Sequence, residues 1–247
     1  MSGETIDIET KDGVADAYLA RPDGEGSYPG VLLLIDAFGL RPRIEEMADR
    51  IAAQGFTVLA PNVFYRAGRA PVISLDGLDD PEKRGEIFQQ IMPLMQELTT
   101  ERIISDADAY LGKLEGVARG PIALTGYCMG GRLGWQIAAA YPRRVAALGA
   151  FHTGGLVTEA KDSPHLIAGE VSAELYFGFA DNDHSMSAES IATLEKALDE
   201  AGASYVSEVY EGAAHGYTMS DTPAYDEAAA ERHFAALFDL LGRTVAA

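Results

Sequence analysis

The chain contains one cysteine, Cys128, and it stands in Gly126-Tyr127-Cys128-Met129-Gly130-Gly131, between the apolar run 122–125 and a helical pattern over 132–140. A lone cysteine forms neither an internal disulfide nor a Cys-rich zinc site, which leaves packing or thiol chemistry. Its surroundings favour chemistry. Glycines two residues before and two after remove the side chains that would collide in a sharp strand-to-helix turn, the pattern of a nucleophile elbow with Cys in place of Ser. Such a turn lifts the sulfur above the sheet and aims it at a helix N-terminus, here expected near Gly131, whose free amides favour a thiolate and an oxyanion alike. The Met129 N–H is then an expected oxyanion donor. The same glycines do not make a phosphate loop, because no Lys follows Gly131 and Gly-x-Gly-x-x-Gly is absent from the turn.

A thiol that attacks a carbonyl needs a base within hydrogen-bond reach and a carboxylate to orient that base. Of the five histidines, His215 in Gly212-Ala213-Ala214-His215-Gly216 falls directly after the last strand pattern and before the last helix, which suits the base. His152 follows the strand pattern ending at Phe151, at the same sheet end, where a substrate contact competes with a structural role. His165 and His184 in polar loops and His233 in the final helical pattern read as surface or structural residues. For the acid, two aspartates compete after the strand pattern 175–179. Asp181 lies nearer the strand and is the expected triad acid, while Asp183, like Ser187, reads as a turn or cap residue ahead of the helix from 187.

Periodicity supplies the elements that must bring these residues together. Alternating patterns at 6–10 and 14–20, joined by Lys11-Asp12-Gly13, predict an opening hairpin. Apolar runs at 31–35, 57–60, 122–125, 145–151, 175–179 and 205–209 alternate with helical patterns at 44–54, 82–92, 100–114, 132–140, 187–201 and 225–241, which predicts a mostly parallel, doubly wound α/β sheet. In such a sheet the site lies at the strands' carboxyl ends. The Gly- and Pro-punctuated stretch 62–81 is placed to cover it, and one domain over 1–247 is expected. With 38 Asp and Glu against 19 Lys and Arg, the net charge of −19 disfavours nucleic acid and anionic membrane surfaces as partners. The opening MSGETIDIET has no basic or apolar leader pattern and the longest aliphatic run is far too short to span a bilayer, so a cytoplasmic protein is expected.

The elbow, Ala180-Asp181, Gly212-Ala213-Ala214-His215-Gly216 and Ala60-Pro61-Asn62-Val63-Phe64 together resemble the dienelactone hydrolase family, over nearly the whole chain. The resemblance implies an α/β-hydrolase fold with triad order Cys128, Asp181, His215. It also implies a carboxymethylenebutenolidase-like hydrolase that opens a small lactone or ester through an acyl-enzyme, with no metal or organic cofactor. In Ile35-Asp36-Ala37-Phe38-Gly39 it makes the Ala37 N–H the second oxyanion donor. It also sets Asp36 where the family has a thiol-activating glutamate, the alternative being a brace for its own loop. Family arginines that hold a substrate carboxylate match Arg84 at one place and are replaced by Met219 at another, so neutral esters and lactones are expected substrates. A thioesterase or peptidase with the same triad, or a non-catalytic thiol protein that binds or senses redox state, are the competing functions.

Overall fold

The computed structural model describes residues 2–24 and 26–246. The apolar runs are strands because both of their faces are covered: β3 (Pro29–Leu34) and β4 (Thr57–Pro61) are buried throughout, as are nearly all residues of β6 (Val145–Phe151) and β7 (Glu174–Ala180). With β5 (Arg119–Tyr127) and the edge strand β8 (Tyr205–Tyr210) they form a six-strand parallel array. The hairpin β1 (Ser2–Thr10) and β2 (Gly13–Arg21) adds to it through an antiparallel β2–β4 pairing, giving the order β1-β2-β4-β3-β5-β6-β7-β8. The half-exposed pattern of β8 follows from its place at the edge.

Helices cover both faces. α4 (Met129–Ala140) and α6 (Glu227–Thr244) lie on opposite sides, since a Cβ on Gly134 of α4 would meet Leu148, whereas its neighbour Gly149 faces Leu237 of α6. α3 (Thr100–Glu115) packs beside α4. α5 (Ala188–Ala201) packs on the short 3-10 helix Pro164–Glu170, itself against α4. α1 (Pro42–Ala52) joins α6 through Arg50 and Glu231, 2.6 Å apart. The remaining helix, α2 (Pro81–Glu97), buries only Ile87 and Ile91 and continues through Pro93 past the predicted end at 92. Those two side chains, with Ala37, Ile73 and Leu78, form a small apolar cluster separate from the main core. No helix among the described residues is long and apolar enough to cross a membrane.

Candidate active site

Every parallel strand but β4 delivers a chemically capable residue at its carboxyl end: Asp36 and Ala37 after β3, Cys128 after β5, His152 after β6, Asp183 after β7 and His215 after β8. Cys128 sits between β5 and α4 with φ 52° and ψ −117°, a conformation that costs an L-residue energy and persists because its surroundings impose it. Those surroundings are backbone. A Cβ on Gly126 would lie 2.3 Å from the Gly130 carbonyl oxygen, and one on Gly130 would lie 2.2 Å from that of Leu34, so neither position admits a side chain. Cys128 is further held by its N–H on the Phe151 carbonyl at 3.0 Å and by its own carbonyl, which accepts from Thr153 Oγ1 at 3.0 Å. The helix starts at Met129 rather than near Gly131, which makes the Met129 N–H a first-turn amide without an intrahelical acceptor.

On one side His215 faces the Cys128 sulfur, close enough for it to act on the imidazole's protonation. On the other, its Nδ1 lies 2.6 Å from Asp183 Oδ2. The carboxylate brought to the histidine is therefore Asp183, not the expected Asp181, whose Oδ2 instead accepts the Gly212 N–H at 2.9 Å. The reason is the backbone between them. Asn182 takes a left-handed conformation, φ 53°, and this turn swings the chain so that the second aspartate reaches the base. Asp183 does not cap α5, a task done by Ser187, but its Oδ1 accepts from Ser185 N at 2.8 Å and Ser185 Oγ at 2.7 Å. Burial works to raise the Asp183 carboxyl, yet the hydrogen bonds from His215 and Ser185 hold it below the usual range. Burial likewise works against charge on His215, but hydrogen bonds and charges from Asp183 and Cys128 outweigh it and lift the imidazole to about 10.

Cys128 and His215 open into a cavity of about 270 Å³, walled mostly by apolar groups that include Phe38, Leu78, Phe88, Met219 and Pro223. Leu78, in the stretch expected to cover the site, and Arg84 and Phe88 of α2 form its roof. Arg84 is exposed there and has no ion-pair partner among the described residues, whereas Met219 is buried in the wall. His152 also borders the cavity, fully buried, its Nε2 2.8 Å from Thr218 Oγ1 and its ring edge-on to His215 at 5.3 Å. Burial pushes its pKa well below the usual value, so it stays neutral. His233 takes the structural role expected of it, with Nε2 on Tyr127 Oη at 3.0 Å and Nδ1 on the Ala230 carbonyl at 2.7 Å.

The loop after β3 is a tight turn. The Asp36 carbonyl accepts the Gly39 N–H at 3.2 Å and its Oδ1 accepts the Phe38 N–H at 3.0 Å, while the Ala37 N–H has no acceptor among the described residues and borders the cavity. Asp36 itself grips Arg41 through two hydrogen bonds of 2.7 and 3.0 Å. Burial raises its carboxyl despite the guanidinium. Asp36 thus braces its own loop, and it also borders the cavity that Cys128 lines. Arg41 escaped the sequence reading: an arginine before a helix-starting proline carries no signal of burial.

A family model described as the dienelactone hydrolase family matches residues 15–245. A Yersinia pestis protein named "Putative carboxymethylenebutenolidase" is 28% identical over 244 residues, covering 96% of this chain and 86% of the relative. "Carboxymethylenebutenolidase 1" of Cupriavidus pinatubonensis is 26% identical over 234 residues, covering 93% and 92%. Among solved structures, a "Putative Dienelactone Hydrolase" from Klebsiella pneumoniae superposes with a TM-score of 0.85 over 98% of both chains at 22% identity, which shows a shared fold.

Proposed function

The chain belongs to the dienelactone hydrolase family, and on that premise we propose that it acts as a single domain that hydrolyses small esters or lactones through Cys128, His215 and Asp183. The observation that carries this is the line Asp183–His215–Cys128 at the floor of an apolar cavity, with the Ala37 amide of a lining residue and the Met129 amide next to Cys128 both without an acceptor among the described residues. The Cys128 sulfur, its proton passed to His215, attacks the carbonyl carbon, and the electron pair of the C=O bond moves to oxygen, where the Ala37 and Met129 N–H groups receive it. Collapse of this intermediate breaks the bond to the leaving oxygen, which takes a proton from His215; in a lactone that oxygen stays tethered as a hydroxyl on the acyl chain.

The electrostatics suit both halves of the cycle. A histidine lifted to about 10 carries its proton at neutral pH and is ready to serve the leaving group. Once the sulfur is acylated, one of the two supports of the imidazolium disappears, and the ring becomes a better acceptor for the proton of the attacking water. Water addition and expulsion of the thiolate then release the acid. Supporting the substrate class are the largely apolar walls, which suit uncharged acyl and alcohol portions, and the names of the relatives.

Purified protein incubated with an activated ester such as p-nitrophenyl acetate should turn over, and rapid acid quench followed by peptide mass analysis should find the acyl group on Cys128. Cys128→Ala should lose turnover and adduct together. Wild-type turnover in that variant would overturn the mechanism, and activity on thioesters or peptides but not oxygen esters would redirect the substrate assignment.

A further inference from the structure

Arg41 is 5% exposed, and its guanidinium lies between the two loops that must cooperate in acyl transfer. Nη1 donates to Asp36 Oδ1 at 2.7 Å and to the Gly39 carbonyl at 3.1 Å; Nη2 donates to Asp36 Oδ2 at 3.0 Å and to Asp221 Oδ1 at 3.2 Å; Nε donates to Asp221 Oδ2 at 2.6 Å. A guanidinium has five N–H groups, and all five are used. None remains for a substrate, so Arg41 is not a ligand-binding cation. Its Cζ also lies 5.5 Å from the centre of the Phe38 ring, a wall of the cavity.

The partners divide into two sets. Asp36, Phe38 and Gly39 bracket Ala37, whose amide is left over from the turn, while Asp221 lies in the loop that runs from His215 to α6. Arg43 adds a second stitch to that loop, its Nη2 on the Thr218 carbonyl at 2.7 Å. We propose that Arg41 is a positioning residue: by fastening the 36–39 turn to the loop that carries His215, it holds the Ala37 amide on the reacting oxygen. A donor aimed where charge develops acts only if it is held there before the reaction. The inference rests on the proposed roles of Cys128 and Ala37.

Lysine keeps the charge but cannot fill a planar fork on two sides, so Arg41→Lys separates geometry from charge. Its kcat for an activated ester should fall roughly 10- to 100-fold, a fraction of what loss of a whole oxyanion donor costs, with KM changed less than about threefold. The rate at which iodoacetamide alkylates Cys128 should remain that of wild type, because alkylation develops no oxyanion. Asp221→Asn, which weakens only the outer half of the fork at a side chain 31% exposed, should show the same split at smaller size and decides the matter if Arg41→Lys fails to fold. A kcat within twofold of wild type in whichever folded variant is decisive overturns the proposal. So does a parallel loss of alkylation rate, which would place the effect on the Cys128–His215 pair. Full turnover in Cys128→Ala is a different failure, that of the underlying triad.

Discussion

Replacing Asp183 by asparagine tests the acid most sharply, because the surroundings dictate how the amide would sit. Oδ1 of Asp183 accepts two donors, the Ser185 N–H at 2.8 Å and Ser185 Oγ at 2.7 Å, and the N–H cannot reverse its role. The asparagine oxygen therefore takes that position and its NH₂ turns toward His215 Nδ1, where the carboxylate oxygen was. Nδ1 must then accept, the ring proton moves to Nε2, and the edge facing Cys128 can no longer take a proton. A triad histidine in the wrong tautomer loses roughly three to four orders of magnitude in kcat, or about 4 to 5.5 kcal/mol of barrier. Asp181→Asn keeps an oxygen for the Gly212 N–H and should cost less than about fivefold, the scale of an ordinary surface change. Initial rates on p-nitrophenyl acetate, for variants whose thermal midpoints match wild type, compare the two directly. Nitrogen-15 shifts of His215 should report a protonated Nε2 in Asp183→Asn. A thousandfold loss in Asp181→Asn beside a near-normal Asp183→Asn would refute the reasoning.

Two further outcomes follow from buried His233 and exposed Arg84. Burial holds His233 at about 3, whereas an unfolded histidine titrates near 6.5, so below pH 6.5 the unfolded state binds the extra proton and stability falls as pH falls toward 3. Between pH 7 and 4.5 this one group should account for roughly 2 to 3 kcal/mol of lost stability, at 1.36 kcal/mol per unit. Urea unfolding of wild type and His233→Gln at both pH values checks it; equal pH sensitivity would refute it. For substrate charge, kcat/KM on a lactone acid and its methyl ester should agree within about tenfold, since a carboxylate on exposed Arg84 gains only about 1 kcal/mol. Arg84→Ala should then slow the acid alone, and an equal loss on both substrates would remove Arg84 from charge recognition.

The order of elements and the places of Cys128 and His215 were legible because each depends on local pattern, an apolar run, a glycine pair or a loop at a strand end, whereas Ala37 and Met219 were marked only by the family resemblance. Asp183 was not, because the choice between two aspartates two residues apart turns on the backbone of Asn182. A positive φ at asparagine is permitted rather than demanded by its residue type. Had Asn182 been read as a left-handed turn residue, the second aspartate would have been the natural choice. The Arg41 fork was invisible for a different reason. Its partners Asp36 and Asp221 lie five and 180 residues away, and a contact of that range leaves no local periodicity.

The small apolar cluster under α2 holds the roof through side chains set apart from the main core of the sheet. Inheritance can therefore act on the two parts separately. Exchanges at Leu78, Phe88 or their neighbours reshape what the cavity admits while the strand ends beneath keep their register, so a lineage can drift among substrates without rebuilding its thiol. An exception is Ala37, which belongs both to that cluster and to the turn beside the sulfur. Phe38, packed against the same cluster and part of the same turn, shares that position, so a change in the roof there would be felt beside the sulfur.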